Sequence, residues 1–323
     1  MGATFFPPED YFDLSGYRFA DDYPRWLAPL VAAARSGDVT KLLPERRPPE
    51  GDGGVPHPSG RPHRTSAVLV LFSGDPDAPG PRPPADARVL LTHRAATLGS
   101  HAGQISFPGG GSEAVDEKIP DTALREAQEE TGLDPDSVDI LAVTGSLYIP
   151  VSNYSVFPVL AYWREPGRVH AADQAETARV LTPPLGDLLD PAHRFTVRQS
   201  AGWQGPAFNI GDLVLWGFTA GVLAAATQLA GWDLEWDSGD IRDLEETLSA
   251  SANGEEHSWP RREVLEELRN AAHLRSDDPD PDADFRRLGT EILRPDVGRP
   301  ESPTPEQDDE APHRGGTDEE GAS

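Results

Sequence analysis

Glu126, Glu129 and Glu130 stand within five residues of one another, next to Arg125 and just short of Gly132. At about 100° per residue the three carboxylates fall within about 100° of each other on a helix. Leu124, Ala127 and Thr131 fall on another face, at the spacing of a core stripe. The segment therefore reads as a helix that buries one side and presents acid on the other. Like charges at i, i+4 oppose each other by roughly 0.2–0.5 kcal/mol when exposed, and by more in a cleft of lower dielectric. A hard divalent cation such as Mg²⁺ compensates a cluster of this kind: it takes carboxylate oxygens and keeps waters that a phosphate can replace. Arg125 is placed to hold a carboxylate through a bidentate pair. Upstream, Phe107-Pro108-Gly109-Gly110-Gly111 forms a glycine turn whose backbone N–H groups can approach an anion. The chemistry these residues suit is binding of a hard divalent cation whose waters a phosphate can replace.

The helix end is legible. Gly132 suits the left-handed position after a helix, Leu133 is placed to pack back on the last turn, and Asp134-Pro135 stops the helix. The start is open between a cap at Asp121 or Thr122 and a start one turn earlier, with Pro120 at the first position.

From Gly111 the order is five residues, Glu117, seven residues, then Arg125-Glu126-Ala127-Gln128-Glu129-Glu130-Thr131-Gly132-Leu133. This spacing resembles the Nudix box, G-x5-E-x7-R-E-U-x-E-E-x-G-U, where U is a bulky apolar residue. Every polar and glycine position matches, and Ala127 is the one departure. A second stretch, from Leu90-Leu91-Thr92-His93-Arg94-Ala95 through Gly103 to Phe107-Pro108-Gly109-Gly110, is similar to the extra motif of Nudix coenzyme A pyrophosphatases. Here His93 stands where Lys is usual and Gly99 where Arg is usual, and both departures remove a permanent positive charge. The segments 148–159 and 216–221 are similar to the strand–loop–strand and the C-terminal helix start of the same subfamily. The resemblance covers about residues 65–232.

It implies a Nudix α/β/α sandwich with a mixed β-sheet, flanked by disordered or partly helical extensions. It also implies Mg²⁺- or Mn²⁺-dependent hydrolysis of the diphosphate in coenzyme A or acyl-CoA, giving 3′,5′-ADP and 4′-phosphopantetheine or its acyl form. The metal would rest on Glu126, Glu130 and Glu129, with Glu117 and Arg125 in the catalytic set. Glu129 is the expected base and Glu176, in a loop, the second choice. Arg94, His101, Gly103, Phe107, Gly109, Gly110 and Gly111 are the expected substrate-binding residues. Two other readings stay open: a Nudix hydrolase of another nucleoside diphosphate derivative, such as ADP-ribose or a dinucleoside polyphosphate, and a non-catalytic binding protein on the same fold.

Composition bounds the remainder. The chain has 323 residues, 37% of them hydrophobic, with 33 Pro and 31 Gly, which points to a core domain with disordered flanks. There is no cysteine, which excludes disulfides, zinc–thiolate sites and thiol nucleophiles and fits a cytoplasmic location. A net charge of −27 disfavours nucleic acid and anionic membrane as partners. The expected partner is a small molecule, and a homodimer is allowed for. No secretory signal is visible at the N-terminus. The uncharged stretch 213–231 approaches a membrane-spanning length, but its Ala, Gly and Thr content and flanking Asp residues read as a buried amphipathic helix.

The elements that position the site follow. Residues 1–64 read as an extension with a short helix at 26–35 and a Pro/Gly-rich linker at 44–64, and residues 65–236 as the domain. Residues 237–323 read as an acidic tail with a helix near 261–274 and a disordered end from 294. Strands are expected at 67–72, 88–92, 139–146, 156–163 and 177–181, with a short helix at 185–189.

Overall fold

The computed structural model describes residues 7–37, 63–98, 101–149, 153–199 and 202–255. Gly99, nearly all of the 44–64 linker, the helix expected at 261–274 and the tail from 294 lie outside them.

Among the described residues, the α-helices that precede the first strand are α1 (Glu9–Phe12) and α2 (Ala28–Ser36). Then come β1 (Arg64–Ser73), β2 (Arg88–Val89), β3 (Leu91–Arg94), β4 (Ile105–Ser106) and β5 (Gly109–Gly111). The glutamate helix is α3 (Ile119–Thr131), followed by β6 (Val138–Val143), β7 (Leu147–Ile149), β8 (Tyr154–Trp163) and β9 (Thr177–Leu181). Next are α4 (Leu185–Leu189), β10 (Arg194–Arg198), β11 (Gln204–Ile210) and β12 (Leu213–Leu215). The described chain closes with α5 (Gly217–Leu229), β13 (Ile241–Asp243) and α6 (Leu244–Ser249).

The apolar run at 67–72 lies at the centre of a six-stranded mixed sheet, where β1 pairs in parallel with β8 from Arg64↔Tyr154 to Phe72↔Tyr162. Strands buried on both faces read as continuous apolar runs, and side-chain alternation divides this one between two cores. Ala67, Leu69 and Leu71 of β1 and Val159, Ala161 and Trp163 of β8 pack with Ile119, Ala123 and Ala127 of α3. Val70, Phe72, Leu160 and Tyr162 point the other way, toward Leu30 and Val31 of α2 and Val222 and Leu223 of α5. The result is the expected α/β/α sandwich. The strands, however, are shared among three sheets: a four-stranded one (β12-β11-β10-β13) and a three-stranded one (β4-β3-β9) stand beside the main one.

Several boundaries move. The strand expected at 88–92 is two strands, β2 pairing with β1 and β3 with β4 and β9, because the chain passes from one sheet to another at Leu90. The uncharged stretch 213–231 is a three-residue strand followed by a 13-residue helix, because its first residues complete the β11 hairpin. Among the described residues no helix is long and apolar enough to cross a membrane.

Chain on either side of the expected 65–236 domain contributes to its packing. Trp26 is fully buried, with its ring 5.6 Å from that of Trp232, and Tyr11 is fully buried against the α3 side of the sheet. At the other end Leu244 and Leu248 pack with Phe195 and Val197, and Asn253 and Glu255 are buried.

Candidate functional site

Helix α3 begins at Ile119 with Pro120 in its second position, the earlier of the two expected starts. The Asp121 carboxylate accepts the Lys118 N–H at 2.8 Å, and Gly132 closes the helix at φ 66°. The three glutamates do not share one exposed face. Glu130 is i+7 from Ala123 and i+3 from Ala127, so it lies on the buried stripe. Its side chain is 6% exposed, whereas that of Glu129 is 59% exposed.

The glycine turn forms the wall opposite. β5 runs antiparallel to β1, with Ala67↔Gly110 and Val68↔Gly109. The Gly109 N–H donates to Glu130 Oε2 at 3.2 Å. A Cβ on Gly110 would lie 2.5 Å from the Glu126 carboxyl group, so that carboxylate rests directly on the glycine backbone. Gly109, at φ 158°, has its missing Cβ against the Ala67 carbonyl and Val68, and a side chain there would pry β5 off β1.

Burial raises the Glu130 carboxyl to about 7, against opposing pulls from Arg94 and the Gly109 N–H, and nearby Glu126 and Glu176 push it further up. Burial also raises Glu126, with Arg125 opposing, and Glu129 and Glu113 adding to the rise. Two neighbouring carboxylates are thus short of compensating positive charge. Arg94 on β3 lies 3.6 Å from Glu130 Oε1 and 3.5 Å from Glu176 Oε1. It brings the second-choice base, Glu176, to the same guanidinium as Glu130.

Arg125 is the hub of the other side. Its Nε and Nη2 donate to both oxygens of Asp116 at 2.9 and 3.0 Å, Nη2 also donates to the Gly111 carbonyl at 2.8 Å, and Nη1 donates to Glu126 and Glu129, each at 3.1 Å. Asp116 stands out only in the structure. Its side chain is 2% exposed. Burial alone would raise it, but hydrogen bonds from Arg125, the Glu113 N–H and Thr122 hold it below the usual carboxylate range. Thr122 donates to Asp116 at 2.8 Å and stands 2.8 Å from the Tyr11 hydroxyl, so the N-terminal segment is tied to the box. Glu117 is exposed and, among the described residues, makes no hydrogen bond or ion pair. The spacing of the box selects Glu117, whereas the carboxylate that is buried against Arg125 is its neighbour Asp116.

The remaining expected residues divide. His101 is exposed in the loop between β3 and β4, with its Nδ1 2.9 Å from Gln104 Oε1. Phe107, expected to touch substrate, is 1% exposed and packs in the core with Leu91 and Ile105. Gly103 (φ 74°) faces the segment that follows α6, and a Cβ there would strike the Asn253 carbonyl and lie 2.9 Å from the Glu255 nitrogen. The same carbonyl lies 3.0 Å from His93 Nε2, so His93 points into the protein. Gly103→Ala is expected to lower stability by about 1–3 kcal/mol, from left-handed strain plus displacement of this segment. Chemical denaturation checks it, and a change under about 0.5 kcal/mol would contradict the packing role.

Among the described residues no group of three or more Asp, Glu, His or Cys side chains is gathered to hold a metal ion. The donor chemistry nevertheless suits one. Glu126 and Glu130 offer hard oxygens, burial leaves both under-compensated, and the exposed Glu129 is one turn from Glu126.

The NUDIX domain family model matches residues 62–200. The chain is 32% identical over 181 residues to Nudix hydrolase 15, mitochondrial, of Arabidopsis thaliana, an alignment covering 52% of this chain and 59% of that protein. It is 32% identical over 176 residues to Nudix hydrolase 22, chloroplastic, of the same plant, covering 51% and 55%. With the uncharacterized Nudix hydrolase NudL of Pectobacterium atrosepticum it shares 38% identity over 133 residues, covering 40% and 64%. The chain thus spans less than two thirds of each relative's length. The matched part, residues 62–200, contains α3, the glycine turn and Arg94, and over it the chain is similar to the NUDIX domain family.

Proposed function

We propose that the chain is a Mg²⁺- or Mn²⁺-dependent pyrophosphohydrolase whose preferred substrate is coenzyme A or acyl-CoA, cleaved to 3′,5′-ADP and 4′-phosphopantetheine or its acyl form. The observation that carries the reading is the pair of carboxylates set against the glycine strand, buried Glu130 and half-buried Glu126, both raised by desolvation despite their arginine neighbours. The names of the relatives support hydrolysis. The motif from Leu90 to Gly110 supports the coenzyme A class.

Glu126 and Glu130 would hold the cation, with Glu129 as a further donor. A bound cation would neutralise the diphosphate and lower the pKa of a nearby water. Attack forms one P–O bond at a phosphoryl group and breaks its bond to the bridging oxygen, which leaves with the second phosphate. Glu129, exposed on the rim of the helix, takes the proton from the attacking water. Glu176 is the alternative base, already turned toward the site by Arg94. Arg125 positions Glu126 and Glu129, while Glu117 contributes negative charge at the rim. Arg94, His101, Gly110 and Gly111 bind substrate, Gly109 acts through the Glu130 carboxylate that its N–H holds, and Gly103 and Phe107 shape the turn from behind. The substrate is a small molecule, with no nucleic-acid or membrane partner; the reading places the protein in the cytoplasm and admits a homodimer.

One observation favours a second reading. His93 is buried, its Nε2 directed at Asn253 and its pKa lowered by burial, so the side chain at the position where the coenzyme A motif has Lys carries no charge of its own. A pyrophosphohydrolase of ADP-ribose or a dinucleoside polyphosphate is compatible with that. A side-by-side assay of coenzyme A, ADP-ribose and diadenosine tetraphosphate with Mg²⁺ tests the choice. The proposal expects kcat/KM for coenzyme A to exceed the others by at least about tenfold, a difference of about 1.4 kcal/mol. Preferred cleavage of ADP-ribose would overturn the coenzyme A assignment.

A further inference from the structure

Both arginines already placed at the site are engaged by carboxylates: Arg94 by Glu130 and Glu176, and Arg125 by Asp116, Glu126 and Glu129. His93 and Gly99 add no permanent charge where the coenzyme A motif has Lys and Arg, and the chain carries a net charge of −27. A diphosphate entering this field is repelled unless positive charge is at hand that no carboxylate has claimed. Arg64, at the start of β1, offers it. Its guanidinium carbon lies 5.3 Å from the centre of the Tyr154 ring, which belongs to the residue paired with it on β8. The side chain is exposed and, among the described residues, makes no ion pair or hydrogen bond. The aromatic face places the guanidinium without neutralising it.

Arg64 stands at the glycine wall. A Cβ on Gly111 would lie 3.4 Å from Arg64 Nη2, and the Gly111 carbonyl accepts from Arg125 Nη2 at 2.8 Å. One glycine therefore separates the unpaired guanidinium from the one that holds Glu126 and Glu129. The ladder sets where the amide of that glycine points. The Ser112 N–H donates to the Thr65 carbonyl at 3.1 Å, and the Leu69 N–H to the Pro108 carbonyl at 2.8 Å. Hydrogen-bonded pairs alternate in an antiparallel ladder, so Ala67↔Gly110 is one and Ser66↔Gly111 is not. The Gly111 N–H thus points away from β1. It lies on the edge of β5 at which the Gly109 N–H meets Glu130 and the Gly111 carbonyl meets Arg125.

We propose that Arg64 is a substrate-binding residue: with the Gly111 N–H it grips the diphosphate of a nucleoside diphosphate derivative, and it supplies positive charge that the motif has lost at positions 93 and 99. Its planar fork of N–H donors suits a pair of phosphoryl oxygens. The contact is to the diphosphate and not to the 3′-phosphate of coenzyme A, because Gly111 adjoins the glycine on which the Glu126 carboxylate rests. The nature of the ligand rests on the pyrophosphohydrolase reading.

Calorimetric titration of the full chain with α,β-methylene-ADP and Mg²⁺ tests the assignment, because the methylene bridge cannot be hydrolysed. Arg64→Met keeps an unbranched side chain against Tyr154 and removes the charge. It is expected to weaken binding at least about tenfold, the worth of a hydrogen bond to a charged group. Arg64→Lys keeps the charge without the fork and is expected to fall between that variant and the wild type. Unchanged affinity in Arg64→Met overturns the proposal, as does an Arg64→Lys that binds as weakly as Arg64→Met. Both variants are expected to keep the wild-type urea midpoint, and weakened binding that comes only with a lowered midpoint would assign Arg64 to the fold instead. In turnover, Arg64→Met is expected to raise KM at least about tenfold for coenzyme A and dephospho-coenzyme A alike, with kcat within about threefold. A loss confined to coenzyme A would move the contact to the 3′-phosphate and overturn the diphosphate assignment. A wild type that binds the analogue but hydrolyses no diphosphate tested would refute the pyrophosphohydrolase reading, while the titrations still decide the role of Arg64.

Discussion

Glu130→Gln is expected to lower kcat by at least about 10³-fold and, at the same time, to stabilise the metal-free protein at pH 8. The first effect follows from the proposed role, since the substitution removes a charged donor to the cation that the reaction needs. The second follows from burial. Glu130 titrates at about 7 in the folded state against an ordinary 4.5. A carboxyl raised on folding holds its proton more tightly in the native state. Its ionisation therefore costs stability, from nothing below about pH 4 to a plateau above about pH 7. At 1.36 kcal/mol per unit the plateau is about 3 kcal/mol, and the neutral amide of the variant avoids it apart from whatever its NH₂ loses in hydrogen bonding. Urea unfolding in EDTA at pH 4 and pH 8 checks the sign. The variant is expected to match the wild type at pH 4 and to exceed it by about 2 kcal/mol at pH 8. A variant less stable than the wild type at pH 8 would show that the carboxylate is already compensated without a cation.

Arg125→Ala is expected to cost about 3–5 kcal/mol, the penalty for removing one partner of a buried pair. Asp116 would be left buried with only the Thr122 hydroxyl and the Glu113 N–H, and the Gly111 carbonyl would lose its donor. Arg125→Lys recovers only part of this, because a single ammonium cannot span both oxygens of Asp116 as the guanidinium does. The double variant Asp116→Leu/Arg125→Met separates the pair from its charge. It is expected to be more stable than Arg125→Ala, since no uncompensated carboxylate is left inside. Denaturation of the three variants measures this. A cost below about 1 kcal/mol for Arg125→Ala would mean that the pair is effectively solvated.

What could be read from residue order alone was whatever is encoded locally. The box helix, its Gly132 terminus and the doubly buried strands around 67–72 and 156–163 are matters of spacing and apolar continuity, and they are where the sequence places them. The burial of Glu130 was within reach of the same arithmetic, because a residue at i+7 from Ala123 must share its face. β10 and β11 were also within reach: Phe195 and Val197 alternate ahead of a turn at Gly202. The tertiary partners were not. Asp116 and Glu117 are adjacent carboxylates, and only the packing of Thr122 and Tyr11 decides which one faces Arg125. Glu255, which accepts the indole N–H of Trp216, lies in an acidic stretch whose composition gives no hint of a buried carboxylate.

Binding of Mn²⁺ to the full chain, followed by electron paramagnetic resonance with a non-hydrolysable diphosphate analogue present, tests the central claim most directly. The account predicts saturable binding in the wild type that is weakened at least about tenfold, or about 1.4 kcal/mol, in both Glu126→Gln and Glu130→Gln. Saturable binding that is unchanged in both variants, or no binding at all in the wild type, would contradict it.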